Sequence, residues 1–405
     1  MATASASATQ VRYLVETTAG TIESGNPQLY RVTKESLNQT IESQASQELR
    51  ADRQVSDVTL VSGSVGGALD WELSLKTHDD FLEALLANTW ALSGTTDGTL
   101  SVTAVTFTAA SDTFSTTGVF PTMEKGQWFR VSGHSIPALN GVYRCSTTTA
   151  PTTTAIVIDT AVYDPGAVAA TSSTATFSTS RLKNGTTDLK TFSIEKEFSD
   201  ITPAQFFMAT GMAVQSMSLN FATGEAITGS FSFLGMEMAR TATTSSFPGI
   251  ATAEAATTTP MINTVNNTIV VLDGAQMGDS CAESFSLNIN TGMKERRCLG
   301  SGIGLAGITQ GTFEITADLN IFFGAASSAA VYDKMVGDLP VSFAIYCEDS
   351  NGDGYAISIE RAKISSSEVV AGGINTDVMM NLSLTATVGS TSGAMIAIDR
   401  IGSVA

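Results

Sequence analysis

The sequence predicts a mainly β protein built from a duplicated unit, each copy carrying one flanking helix, with a small β domain inserted into the first copy. Three observations predict it. Apolar residues alternate with period two along many short segments, a short amphipathic pattern follows the leading strand of each copy, and later strands recur at a fixed spacing. After Gly67, residues Leu69, Trp71, Leu73 and Leu75 alternate with polar neighbours. After Gly311, residues Phe313, Ile315, Ala317 and Leu319 do the same, continuing through Ile321 and Phe323. Such alternation marks a strand with one buried face.

The helices come next. Phe81, Leu82, Leu85 and Leu86 share one helical face, and Asp79 and Asp80 suit the positive end of the first turn. Val331, Tyr332, Met335 and Val336 repeat the spacing. Phe192 and Ile194 recur 151 residues on as Phe343 and Ile345, and Phe231 and Phe233 recur at the same 151 as Leu382 and Leu384. The two helix patterns lie 250 residues apart, so the first copy holds 99 residues that the second lacks.

These surplus residues are Thr- and Ser-rich. Strand candidates at 128–131, 141–144 and 155–158 are separated by turn signals at Ser132-Gly133, Asn140-Gly141 and Asp164-Pro165-Gly166. Trp128, Phe129, Val131, Val142 and Tyr143 are the expected core of an inserted domain. Because the second copy makes the same passage without them, the segment is expected to be an outward-facing accessory unit. The expected organisation is a flexible arm at 1–10, a first domain at 11–94 and 184–240, the insert at 95–183, a linker at 241–261 containing Phe247-Pro248-Gly249, and a second domain at 262–405.

Charged residues make up 15% of the chain, below the roughly 25% of ordinary soluble domains. The net charge of −18 argues against a grip on nucleic acid, which requires clustered Lys and Arg. An acidic wall would instead let a duplex slide past. The opening MATASASATQ lacks the basic and apolar segments of a secretory signal, and no apolar run is long enough to span a membrane. Cys145, Cys281, Cys298 and Cys347 lack metal-ligand spacing and read as free thiols.

Asp349, Asn351, Asp353 and Glu360 fit the calcium-loop pattern with Gly354. Strand alternation on both sides instead makes 349–354 a hairpin turn, with Glu360 carried roughly 20 Å along the strand at about 3.3 Å per residue. No structural ion is expected there. Gly302, Gly304 and Gly307 match a dinucleotide pattern but follow Lys294-Glu-Arg-Arg297 and precede a strand, so they read as an interface loop. His78 and His134 fall in different predicted domains, and no nucleophile elbow or phosphate loop is present. No catalytic residue and no cofactor is expected.

Leu37-Asn-Gln-Thr-Ile41 through Glu48-Leu-Arg50-Ala-Asp52-Arg53-Gln54 resembles the long-loop motif of phage tail-tube proteins. The helix 81–90, Phe192-Ser-Ile-Glu195, Gly229 to Gly235 and the ending Ile374-Asn-Thr-Asp377 to Ile398-Asp-Arg400 are similar too. The resemblance implies two tandem tube-type β-sandwich or barrel domains, each flanked by a helix, in the two-domain type of a long-tailed, non-contractile phage. It further implies rings of three chains stacked around a lumen, partners among other tail proteins, passage of genomic DNA without specific binding, and a place in a virion tail assembled in the host cytoplasm. Leu37, Ile41, Glu48, Arg50, Asp52, Arg53, Lys294, Arg296 and Arg297 are the candidate ring-stacking residues. Elementary strand chemistry agrees, because exposed sheet edges must be guarded or paired, and head-to-tail pairing closes a ring. A baseplate or head-decoration protein would share these features. So would a surface adhesin, which should carry an export signal.

Overall fold

A computed structural model describes residues 3–92, 98–248, 253–277, 281–300, 302–324 and 327–402. Met1 and Ala2 of the expected arm, the boundary near 94–95 and Gly249 of the linker lie outside them. The chain is mainly β, as expected. The first copy contains β1 (Thr9–Glu16), β2 (Gln28–Tyr30), β3 (Asn38–Ala45), β4 (Val58–Glu72), α1 (Asp79–Leu86), β5 (Thr191–Phe198), β6 (Gln205–Ala222) and β7 (Thr228–Gly235). The second contains β8 (Thr268–Leu272), β9 (Ala275–Gln276), β10 (Ala282–Asn290), β11 (Glu314–Phe322), α2 (Ser327–Val336), β12 (Val341–Glu348), β13 (Gly354–Ala371) and β14 (Val378–Thr387).

Pairing in the first copy runs β2-β1-β5-β6-β7-β4-β3. In the second it runs β9-β8-β12-β13-β14-β11-β10, the same order strand for strand. In each copy one long strand joins two layers. β6 pairs with β5 over residues 205–213 and with β7 over 213–220. β13 pairs with β12 over 354–362 and with β14 over 361–371. The two copies then merge, because residues 216–222 of β6 pair antiparallel with β10. One eight-stranded sheet results, ordered β3-β4-β7-β6-β10-β11-β14-β13.

Residue alternation fills the space between the layers. Phe81 of α1 packs among Tyr13, Phe192 and Phe233, with ring centroids 4.7, 4.8 and 5.3 Å away. Trp71 stacks on Phe231 and lies against Gly229, where a Cβ would come within 2.4 Å of the indole. The second helix differs from its expected pattern. Val331 is buried, whereas Tyr332 and Val336 are 40% and 70% exposed. The sequence register of the leading strands also shifts. Aligning Gly67 with Gly311 equates Leu69 with Phe313, but the ladders equate Leu69 with Leu319, the same 250 that separates the helices.

The surplus segment forms its own six-stranded sheet, with strands at 99–108, 113–115, 128–132, 141–144, 155–157 and 173–178. Phe107, Phe114, Phe129, Val131, Tyr143 and Phe177 fill its core. Trp128 and Val142 do not join them. They face the other way, onto Ile269, Val271, Ala344, Tyr346 and Ala356 of the second copy. Residues 180–183 leave the insert and pair with 397–400 of the second copy.

His78 precedes α1 in a fully buried setting. Its Nδ1 lies 2.6 Å from the Tyr30 hydroxyl and its Nε2 3.1 Å from the Glu72 carbonyl oxygen, against the Trp71 ring. The neutral ring satisfies both by accepting from Tyr30 and donating to Glu72. Burial lowers its pKa to about 3. The unfolded chain, with a His pKa of about 6.5, therefore takes up this proton first as pH falls. The stability that neutral His78 contributes is complete above about pH 6.5 and is lost below it, at about 1.4 kcal/mol per pH unit. Urea unfolding at pH 7.5, 6 and 5 should show this slope, and His78→Phe should flatten it.

Candidate assembly interface

The candidate residues from the long loop and from the Lys294 segment occupy equivalent places in the two copies. β3 and β4 form a hairpin in which Gln44 pairs with Thr59 and Ala45 with Val58. In the second copy the short strands Lys294–Arg296 and Gly307–Thr309 pair Lys294 with Thr309 and Glu295 with Ile308, each 250 residues on. The segments between these equivalent pairs, 46–57 and 296–307, have equal length. Leu49 and Leu299 sit at corresponding points of the two tips, 100% and 107% exposed.

Their surroundings differ. The second hairpin is docked on the first copy. Met293 and Leu305 are buried against Ala213 and Leu234. The Leu305 amide donates to the Met236 carbonyl at 3.3 Å, and Gly63 donates to the Ile303 carbonyl at 3.0 Å. Arg297 donates to the Gly63 carbonyl at 2.9 Å and pairs with Glu295 at 2.8 Å. A Cβ on Gly63 would stand 2.5 Å from the Ile303 side chain, so the approach requires glycine. Lys294 and Arg296 are exposed.

Beyond the Gly63 contacts with Ile303 and Arg297, the first hairpin stands largely exposed. Ile41, Val58, Leu60 and Val61 are about half exposed, at 49, 57, 56 and 50%, and Val55 stands at 63%. Glu48, Arg50, Asp52 and Arg53 are exposed, with Arg50 and Asp52 paired at 2.8 Å. Leu37, at the hairpin base, is 1% exposed and belongs to the core. The repeat of the whole hairpin went unseen in the sequence. Carrying the 250-residue helix spacing backwards would have found it, since Leu37 and Leu49 meet Leu287 and Leu299.

The calcium-like loop is a hairpin turn between β12 and β13. The Asp349 Oδ1 accepts the amides of Asn351 and Asp353 at 2.7 and 2.9 Å, and Gly352 adopts φ +83°. Glu360 is directed elsewhere, accepting the amides of Thr391 and Ser392 at 2.6 and 2.7 Å. Burial would raise its pKa, but these hydrogen bonds outweigh it and hold the carboxyl below its ordinary value. Among the described residues no group of three or more His, Cys, Asp or Glu is arranged to hold a metal, and no helix is long and apolar enough to cross a membrane.

Together the ladders and exposed edges define a duplicated β-sandwich protein whose copies join edge to edge. The family model for the phage tail tube protein matches residues 6–388, and the chain belongs to that family, a structural family of the virion tail. No curated protein sequence matches it.

Proposed function

We propose that three chains close a ring with pseudo-sixfold symmetry. The rings then stack into the tube of a long, non-contractile tail and conduct the genome during ejection. One observation carries this reading. The eight-stranded sheet that unites the copies contains no Lys or Arg in β3, β4, β7, β10, β11 or β14 or in 213–222 of β6, and its cations stand at its two edges, Lys34 opposite Asp70 and Arg361 and Lys363 in the part of β13 paired with β14. Its core-facing positions are apolar, as at Leu69, Trp71, Leu287 and Leu319. The opposite face carries Ser230, Ser286, Asn288, Thr316 and Ser383 with acidic Asp70 and Asp318. Such a surface is rich in hydroxyls and carboxylates, and its edge cation Lys363 is paired with Asp338 at 2.8 Å, so little positive charge is offered to a phosphate backbone and a duplex moves along it without being held.

Ring closure by three chains follows from two equivalent units per chain and from the similarity to two-domain tail tubes. Negative-stain and averaged images of purified protein should show hollow tubes whose rings contain three chains. Rings of six full chains would overturn the stoichiometry, and closed shells or monomers would overturn the tube.

A further inference from the structure

The seam inside the chain has an unpartnered counterpart at each end of the sheet. β10 pairs with β11 on one side and with β6 on the other. Its first-copy equivalent, the segment running from Lys34 through β3, pairs only with β4. Likewise residues 216–220 of β6 lie between β7 and β10, while 363–371 of β13 pair with β14 alone, its partner 397–401 reaching only Ser358. Each chain thus presents one half of the seam at either end of its sheet. Val369 and Val370 stand 41 and 37% exposed along the β13 margin, with Val378 of β14 beside them at 38%, and the buried Oγ of Ser367 has no hydrogen-bond partner.

Resting on the tube reading above, we propose that the β13 margin takes the 35–40 segment of a second copy of this chain in the register the molecule already uses internally. Within the chain, Leu219 pairs with Leu287, Met217 with Ile289 and Ser218 with Asn288. Shifted by the observed offsets, 150 for β6 to β13 and 250 for the hairpins, these become Val369 with Leu37, Ser367 with Gln39 and Glu368 with Asn38. The neighbour's exposed hairpin, with Ile41 and Val55, then lies over the β13–β14 end as the second hairpin lies over Ala213 and Leu234. At the close-approach point the combination changes. Gly63 against Ile303 becomes Phe313 against Arg53, a pairing of a ring with a guanidinium.

The free edge is guarded in the single chain. The Leu37 amide donates to Glu35 Oε2 at 3.1 Å, and its carbonyl accepts from Lys196 Nζ at 2.7 Å, with Lys196 and Glu35 ion-paired at 3.2 Å. Both backbone groups that Val369 of the neighbour would take are thereby occupied by charged side chains, a recognised means of blocking edge pairing. Lys196 and Glu35 must let go before rings close, so they set the rate of assembly.

The test uses the full chain with exposed Cys281 and Cys298 changed to Ser. Asn38→Cys with Glu368→Cys should, after mild oxidation of tubes, give covalent dimers and trimers on a denaturing gel and no larger species. Asn38→Cys with Ser366→Cys, two residues out of register, should give at least tenfold less. Tubes that form but cross-link equally or not at all with the first pair overturn the register and leave the tube reading intact. An absence of tubes from the unsubstituted chain overturns the reading beneath it. Lys196→Met should shorten the assembly lag at least threefold, and an unchanged lag overturns the guard.

Discussion

Replacing residues 95–183 with a Gly/Ser linker is expected to collapse the yield of soluble folded chain and to abolish tubes. The 99-residue arithmetic marks the segment as dispensable, since the second copy makes the same passage without it. The packing argues the reverse. Trp128 is fully buried, stacks on Tyr346 at 6.0 Å, donates its indole N–H to Ser358 at 3.1 Å, and donates its amide to Asp399 at 3.0 Å. Arg130 pairs with Glu348 at 2.5 Å. Excision would expose Tyr346, Val271, Ala344 and Ala356, all buried now, and strand Asp399 without its partners. Trp128→Ala is the graded version, expected to cost about 3–5 kcal/mol as the loss of a buried aromatic. Soluble yield, dye binding to exposed apolar surface and the denaturant midpoint are the measurements. A linker variant that still polymerises would restore the accessory role.

The insert also shows what a sequence reveals and what it hides. Alternation marked 128–131 and 141–144 as strands, but it cannot say that both faces are buried, one in the insert and one against a distant segment. Phe129, Val131 and Tyr143 fill the insert, whereas Trp128 and Val142 cover the second copy. The duplicated strands were legible because apolar alternation survives divergence of the side chains. The duplicated hairpin was not. Its residues face solvent in the first copy and a seam in the second, so Gln44 stands where Lys294 does and Arg53 where Ile303 does, with no periodicity to align. The helices were legible in position but not in depth. α2 shares the spacing of α1, yet carries Val331 where α1 has Phe81, and its Tyr332 and Val336 are exposed where Leu82 and Leu86 are buried.

Arg181→Met is expected to destabilise the chain by about 3–5 kcal/mol, and adding Asp399→Asn should recover most of that loss. Arg181 leaves the insert on a strand paired with 397–400 and with 91–92, where first copy, insert and second copy meet. Its guanidinium makes two hydrogen bonds of 2.7 Å to Asp399 and further ones to the carbonyls of Lys125 and Gly126 at 3.3 and 3.1 Å. Asp399 is fully buried and Arg181 is 4% exposed. Removing the cation alone leaves a carboxylate in a dry site with the Trp128 amide as its main remaining donor, and an unpaired buried charge is what makes such single changes costly. The Asn at 399 removes that charge while its carbonyl still accepts from Trp128. What remains lost is hydrogen bonding worth about 1–2 kcal/mol. A double-mutant cycle in urea decides it. If the double variant is less stable than the sum of the singles, the pair is not held together by charge compensation, and the junction must be stabilised by the packing around Trp128.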